Sequence, residues 1–370
     1  MSRKVPLVDL RKGYLAHRNE IDSAIRRVLD SGWYILGPEV TAFESAFAKN
    51  CGAKEAIGVG NGTDAIVIAL RALDIGEGDV VFTVSHTAVA TVAAIEMTGA
   101  KPVLIDIDPK TYTIDPQKLE TTVERFAGDG KPRAVIAVHL YGQPCDIDAI
   151  SAICRKYDLN LIEDCAQAHG ATYKGNHVGT YGAISTFSFY PTKNLGAFGD
   201  GGAIITHDPN LAERCRALRQ YGWHKHYISD LAGMNSRLDE MHAAILNVRL
   251  QYLHEEIASR RNVAKIYNES LAEHVTIPSV RPDCEHAYHL YVIRSGNRDD
   301  LRAKLQASGI GCGIHYPQPI HLQNAYKHRI GLGFGGMEET ELAATQILSL
   351  PMHGFLEKQD IDAIIDAVVG

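Results

Sequence analysis

Apolar residues return along this chain in two alternating periods, and the alternation points to a fold class. Between residues 20 and 29, Ile21, Ala24, Ile25 and Val28 recur at helical spacing, and Asp30-Ser31-Gly32 stops that helix. Short apolar runs then alternate with helical patterns. Strand 56–59 precedes helix 65–73, and strand 80–83 precedes a helix headed by Ser85-His86-Thr87-Ala88 that continues through Met97. Apolar runs at 103–107 and 134–140 flank a helical stretch at 116–126, and helix 147–157 leads into strand 159–164. Further strands fall at 183–189 and 203–206, with a helix at 209–219. Strands that alternate with helices imply right-handed crossovers and a mainly parallel sheet, so the expected class is α/β.

The pattern changes after Gly233. A capping-box-like Ser236 and Asp239 open a long amphipathic helix through Arg249, Tyr252 and Arg260 to about Leu271. Such a helix bridges a large domain, 1–250, to a smaller C-terminal α/β domain, 251–370. The latter shows a strand at 288–294 and helices at 300–306, 338–347 and 358–368. The glycine-rich 331–336 stretch reads as flexible surface, because no strand-to-helix junction frames it. No internal repeat or low-complexity tract is present.

Composition narrows the partners. The chain has 370 residues with 45% hydrophobic and 22% charged residues, enough for a sizeable core in a soluble protein. A formal net charge of -7 without a Lys/Arg-rich run argues against nucleic acid. Seven scattered cysteines with no Cys-x-x-Cys pair read as free thiols of a reducing cytoplasm. No stretch has the length and apolarity of a signal peptide or membrane span, so neither membrane nor secretion is expected. His224 and His226 alternate as strand-borne metal ligands do, but no third ligand is near and no metal is expected.

Candidate chemistry gathers at strand ends. The run 183–189 leads into a turn bearing Lys193, followed by Gly199-Asp200-Gly201-Gly202. A lysine fixed on such a turn suits a Schiff-base amine, although local sequence alone leaves a plain surface lysine equally open. Ser188, five residues earlier, suits a phosphate contact. Gly60-Asn61-Gly62-Thr63-Asp64 turns a strand into a helix, which aims free N–H groups at an anion, or is simply a helix capped by Thr63 or Asp64. It lacks the Gly-x-Gly-x-x-Gly spacing of dinucleotide sites, which disfavours a nicotinamide cofactor. Glu163-Asp164 closes a strand at the carboxyl edge, where ligands of open α/β sheets gather. Trp33-Tyr34-Ile35-Leu36-Gly37-Pro38 is either a core plug or a cover over a site.

Ser188-Phe189-Tyr190-Pro191-Thr192-Lys193 with its glycine tail resembles the pyridoxal-phosphate lysine motif of DegT/StrS-type nucleotide-sugar aminotransferases. The resemblance extends from Val5-Pro6-Leu7-Val8-Asp9-Leu10 to Leu348-Ser349-Leu350-Pro351. It implies a pyridoxal-phosphate (PLP) fold of type I, aspartate aminotransferase-like, that cycles through pyridoxamine phosphate (PMP). It also implies roles: Lys193 as the Schiff-base and proton-shuttling amine, Asp164 at the pyridine nitrogen, Gln167 at the 3-hydroxyl, and Gly62, Thr63 and Ser188 at the phosphate. Asn235 would reach the phosphate of the partner subunit, giving a homodimer with shared active sites. The family's usual aromatic residue over the ring aligns with Ala88, a departure, which leaves His86 as the available ring of that turn. Gln143, His169, Tyr190 and the pair His315–Tyr316 resemble the branch that aminates C3 of a dTDP-3-keto-6-deoxyhexose, with L-glutamate as expected donor. Tyr316 packing only on Pro317 and Pro319 is the plainer reading. Rivals are a UDP-linked or 4-keto sugar, a PLP-dependent sugar dehydratase (a lyase whose branch carries histidine where Lys193 stands), and a non-catalytic regulator.

Overall fold

The computed structural model of the protein describes residues 4–370. Its centre is an eight-stranded sheet built from Glu55–Val59 (β1), Asp79–Val84 (β2), Lys101–Ile105 (β3), Lys131–Val138 (β4), Asn160–Asp164 (β5), Ile184–Ser188 (β6), Gly202–Thr206 (β7) and Gly331–Leu332 (β8). The spatial order is β1-β7-β6-β5-β4-β2-β3-β8, and β7 alone runs against its neighbours. Two antiparallel steps bring β1 back into line with β6, so the carboxyl ends of β1, β2, β5 and β6 share one edge. Helices cover both faces, which is why the central strands read as continuous apolar runs with no alternation.

One helix ties the molecule together. Glu240–Leu271 packs Ala243, Leu246, Leu250, Leu253 and Ile257 into the large core. Its later turns place Val263, Ala264, Tyr267 and Leu271 in a second core with Tyr291, Leu305, Leu348, Ile361 and Ile364. The expected division at residue 250 therefore falls inside a helix that serves both cores. At its start the Glu240 carboxylate, 1% exposed, accepts the N–H groups of Gly37, Glu39 and Val40 at 2.7–2.9 Å. These are free amides at the amino end of helix Pro38–Cys51, which has no side-chain cap of its own. Glu240→Ala leaves all three donors unpaired in the interior and is expected to cost about 3 kcal/mol. The check is the urea midpoint, which falls while the slope stays constant.

Four expectations need correction. The helix after β2 starts at Val89, four residues late, because Ser85 is drawn into the interior: its hydroxyl meets His321 Nδ1 at 2.7 Å and its carbonyl accepts from Ile320 N–H. Ser236 and Asp239 form no capping box. Asp239 makes no side-chain cap bond, and the Ser236 hydroxyl donates to Asp64 at 2.6 Å while accepting from Gly60 N–H. The 331–336 stretch is not free surface, since Gly331 and Leu332 add a parallel edge strand to β3. Asp106 then anchors the following helix, Glu338–Gln346, by accepting the N–H groups of Glu339 and Thr340. That helix stops before Ile347, because Ile347–Leu350 pairs with Tyr291–Arg294 as an antiparallel ribbon. Among the described residues no helix is long and apolar enough to cross a membrane.

Candidate active site

Lys193 and Asp164 face one cavity of about 300 Å³ at the shared strand edge, also walled by Asn61, Gly62, Thr63, Thr87, Ala88, Gln167, Ser188 and Tyr190. The turn carrying Lys193 is held by its own backbone. Lys193 N–H donates to Tyr190 O, Phe189 N–H to Gly201 O, and Ala197 N–H to Phe189 O, all within 2.7–2.8 Å. Phe189 beneath it is fully buried against Phe43 and Phe47. This anchoring explains why an amine stands at the end of an apolar strand. Burial lowers the Lys193 amine to about 8, and the Asp164 carboxylate pulls the other way.

Asp164 closes β5 and, by the two-residue alternation of a strand, turns to the opposite face from Glu163. The adjacent carboxylates thus have separate lives. Asp164 lies against the cavity, accepting from the Thr91 hydroxyl at 3.0 Å and from Ala166 N–H at 3.1 Å. Burial raises its pKa, with the Ala166 amide, Thr91 and Lys193 opposing. Glu163 is entirely structural: it accepts the N–H groups of Gly179, Tyr181 and Gly182 and meets His139 Nε2 at 3.0 Å. Among the described residues, His139, Glu163 and Cys165 are the one group with metal-ligand proximity. Cys145 N–H already occupies His139 Nδ1, which leaves Nε2 as the donor to Glu163, so this trio is a satisfied hydrogen-bond cluster.

At the phosphate-like corner, Asn61 rather than Thr63 or Asp64 caps helix Gly62–Ala72, accepting from Asp64 N–H at 2.8 Å. The first-turn amides of Gly62 and Thr63 stay at the cavity wall. A methyl on Gly62 would stand 2.7 Å from Ser188 Cβ, so only glycine lets this turn approach the serine. Gln167 is fixed at both ends, its Oε1 accepting Tyr141 N–H at 2.8 Å and its Nε2 donating to the Tyr316 hydroxyl at 3.1 Å. Tyr316 therefore stands one hydrogen bond behind the wall, which is more than packing on prolines. His315 is held by Ser349 at 2.8 Å and accepts, through its carbonyl, from the Tyr141 hydroxyl. Tyr190 is half exposed at the cavity rim.

Other expected residues lie outside the cavity wall. His86 is not in the wall: it is buried, with Nε2 on the Tyr141 hydroxyl at 2.8 Å and its ring beside Tyr112. The stacking expectation for His86 is corrected accordingly, since its nitrogen is claimed by Tyr141 and Ala88 meets the cavity instead. Asn235 is exposed and outside this chain's own cavity. Trp33, Tyr34 and Ile35 are 58%, 50% and 41% exposed, so that loop is no core plug. Gln143 and His169 are buried behind the site, and both ring nitrogens of His169 lack a partner among the described residues. Thr91 and Tyr141, which hold Asp164 and Gln167, receive no role from the sequence, although Tyr141 lies in the stretch His139-Leu140-Tyr141-Gly142-Gln143-Pro144 that bears Gln143.

The cavity fits pyridoxal phosphate. Its walls offer helix-start amides beside a serine, a buried carboxylate and a desolvated amine. A model of the DegT/DnrJ/EryC1/StrS aminotransferase family matches residues 16–369. The dTDP-3-amino-3,6-dideoxy-alpha-D-galactopyranose transaminase of Aneurinibacillus thermoaerophilus is 45% identical over 365 residues, spanning 98% of each chain. Among solved structures, S. venezuelae DesV in complex with a ketimine intermediate superposes with a TM-score of 0.95 at 44% identity, covering 99% of this chain and 98% of that one. NtdA from Bacillus subtilis with bound cofactor PMP gives 0.89 at 30% identity, covering 99% of this chain and 84% of that one. The chain belongs to the DegT/DnrJ/EryC1/StrS aminotransferase family. It is a pyridoxal-phosphate-dependent sugar aminotransferase of fold type I, as the motif around Lys193 led us to expect.

Proposed function

We propose that this enzyme moves an amino group from L-glutamate to C3 of a dTDP-linked 3-keto-6-deoxyhexose. The observation that carries the chemistry is the placement of Lys193 and Asp164 in one cavity, the amine lowered to about 8 and the carboxylate buried. The choice of sugar leans on the name of the 45%-identical Aneurinibacillus relative and on the residues Tyr190, His315 and Tyr316.

When bound, pyridoxal phosphate supplies a conjugated ring that withdraws electrons from the carbon bearing the amine. Asp164, buried in the wall, would pair with the ring nitrogen and keep it protonated. Gly62, Thr63 and Ser188 would hold the phosphate and retain the cofactor while Lys193 is free. The freed Lys193 amine would take a proton from the donor carbon and return it to the carbon on the far side of the transferred nitrogen. Gln167, braced by Tyr141 and Tyr316, would orient the 3-hydroxyl side of the ring. Tyr190 at the rim and His315 beside Tyr316 meet the hexose.

The working unit in this proposal is a homodimer in the cytoplasm. Exposed Trp33, Tyr34, Ile35, Tyr221, Tyr227 and Ile228 give the apolar surface a second copy would cover, and exposed Asn235 is free to enter the partner's phosphate corner. Purified protein incubated with L-glutamate and a panel of dTDP- and UDP-linked keto sugars tests the sugar. A dTDP-linked product aminated at C3 is expected, and conversion of only a UDP-linked 4-keto sugar overturns the choice.

Two smaller effects follow from the geometry. Gly62→Ala forces Ser188 aside and is expected to raise the cofactor's dissociation constant about tenfold, read by fluorescence titration of the apoenzyme. The Lys193 amine is protonated below and neutral above about pH 8. Because the neutral form is the nucleophile, the rate of cofactor capture by the apoenzyme should rise with pH through a midpoint near 8 and level off above it, well below the 10.5 of an ordinary lysine. A midpoint at the ordinary lysine value would mean that the amine is solvated.

A further inference from the structure

Tyr141 spends each of its polar groups on ties between segments far apart in the chain. Its N–H donates to Gln167 Oε1 at 2.8 Å, and its carbonyl accepts from Leu290 N–H at 3.3 Å. Its hydroxyl donates to the carbonyl of His315 and meets His86 Nε2 at 2.8 Å. A phenol has one proton, here given to His315, so His86 is the donor and carries its ring proton on Nε2. Burial, and after it Arg294, lowers His86 to about 4, so the ring stays neutral in that role.

Packing alone does not account for this residue. Tyr141 is 3% exposed and holds φ 61° and ψ 0°, a left-handed backbone that a bulky side chain adopts only at a cost. Phenylalanine would fill the same space beside Tyr112 without burying a hydroxyl. What the hydroxyl adds is a bond from the loop after β4 to the C-terminal segment 313–321, which bears His315 and Tyr316. That segment is anchored at one end by Ser349, whose backbone exchanges bonds with Gly313 at 2.8 and 3.2 Å. At the other end Ser85 holds His321 at 2.7 Å. Between the anchors, Tyr141 ties down His315, and Gln167, itself fixed by the Tyr141 amide, donates to the Tyr316 hydroxyl at 3.1 Å. One residue thus sets the segment and the cavity wall in register.

We propose that Tyr141, with His86 behind it, is a positioning residue for the sugar half of the reaction, holding His315 and Tyr316 in register with Gln167. The inference rests on the aminotransferase reading above and on its assignment of His315 and Tyr316 to the sugar. The Tyr141 hydroxyl bonds neither Lys193 nor Asp164 nor the phosphate corner, so capture of cofactor and reaction with the donor do not depend on it.

Tyr141→Phe keeps the backbone bond to Gln167 and removes only the hydroxyl. Visible absorbance separates the two half-reactions: L-glutamate bleaches the lysine-bound cofactor, and the keto sugar that the unaltered enzyme converts restores it. In Tyr141→Phe the sugar concentration for half-maximal recovery is expected to rise about tenfold. The glutamate concentration for half-maximal bleaching and the cofactor's dissociation constant from the apoenzyme should stay within about twofold. Calorimetric titration of the PMP form with the aminated sugar, which that form cannot convert, should show the same tenfold weakening without turnover. His86→Leu is expected to reproduce part of the effect, and His86→Gln, which keeps an N–H donor, to restore it. This pair decides the matter should Tyr141→Phe fail to fold. Equal weakening of both half-reactions, an unchanged response to the sugar, or no difference between the two His86 variants overturns the proposal. An unaltered holoenzyme that no amino donor bleaches would refute the aminotransferase reading itself, whereas bleaching by glutamate without recovery by any keto sugar would refute the sugar assignment alone.

Discussion

Lys193→Ala protein is expected to fold, to bind pyridoxal phosphate only through its phosphate and ring contacts, and to lose transamination by at least about a thousandfold. Two functions disappear with one amine: the covalent hold on the cofactor and the proton transfer at the donor carbon. Proton transfer alone accounts for about 10²–10⁴ in rate. The turn should survive, because its hydrogen bonds run through the backbone of Tyr190, Phe189 and Ala197. The visible absorbance of the lysine-bound cofactor vanishes, and added methylamine restores little, since a free amine lacks the fixed position of the side chain. Full activity in this variant would remove Lys193 from the mechanism.

Asp164→Asn is expected to keep the fold and the cofactor and to lower turnover about 10²–10³-fold, the range for deleting one preorganised charge at a reacting system. The amide has the shape of the carboxylate, and its one oxygen can accept from Ala166 N–H while its NH2 donates to the Thr91 hydroxyl oxygen, so stability changes little. It no longer holds a proton on the ring nitrogen, and the electron demand of the ring falls. Glu163→Ala provides the contrast. That change strands the N–H groups of Gly179, Tyr181 and Gly182, so it strikes thermal stability first. Thermal unfolding and steady-state rates on the two variants separate the roles. Equal losses of turnover and equal losses of stability would mean that the neighbouring carboxylates share one function.

Much of the scaffold was legible from periodicity. Buried strands such as β2, β4 and β5 are short apolar runs because helices cover them on both sides, and this composition is a local property. The edges of the reading failed where distant segments intervene. Ser85 leaves its helix because His321, 236 residues away, takes its hydroxyl. Gly331 and Leu332 carry no strand pattern, and only β3 beside them makes them one. Ser236 resembles a helix cap until Asp64 claims it.

What the chain's own order of residues determined was the sheet's class, the lysine on its turn, the aspartate closing β5 and the family they signify. Each of these depends on neighbours within a few positions, where period, turn chemistry and spacing act directly. Tertiary structure alone decided that Glu163 serves His139 and the loop amides of Gly179, Tyr181 and Gly182, that His86 belongs to Tyr141, and that Arg249, Arg260 and His353 line a cavity with Lys193. Those outcomes follow from strand alternation and from contacts between segments far apart in the chain, and no local pattern encodes the partner a buried polar group will find.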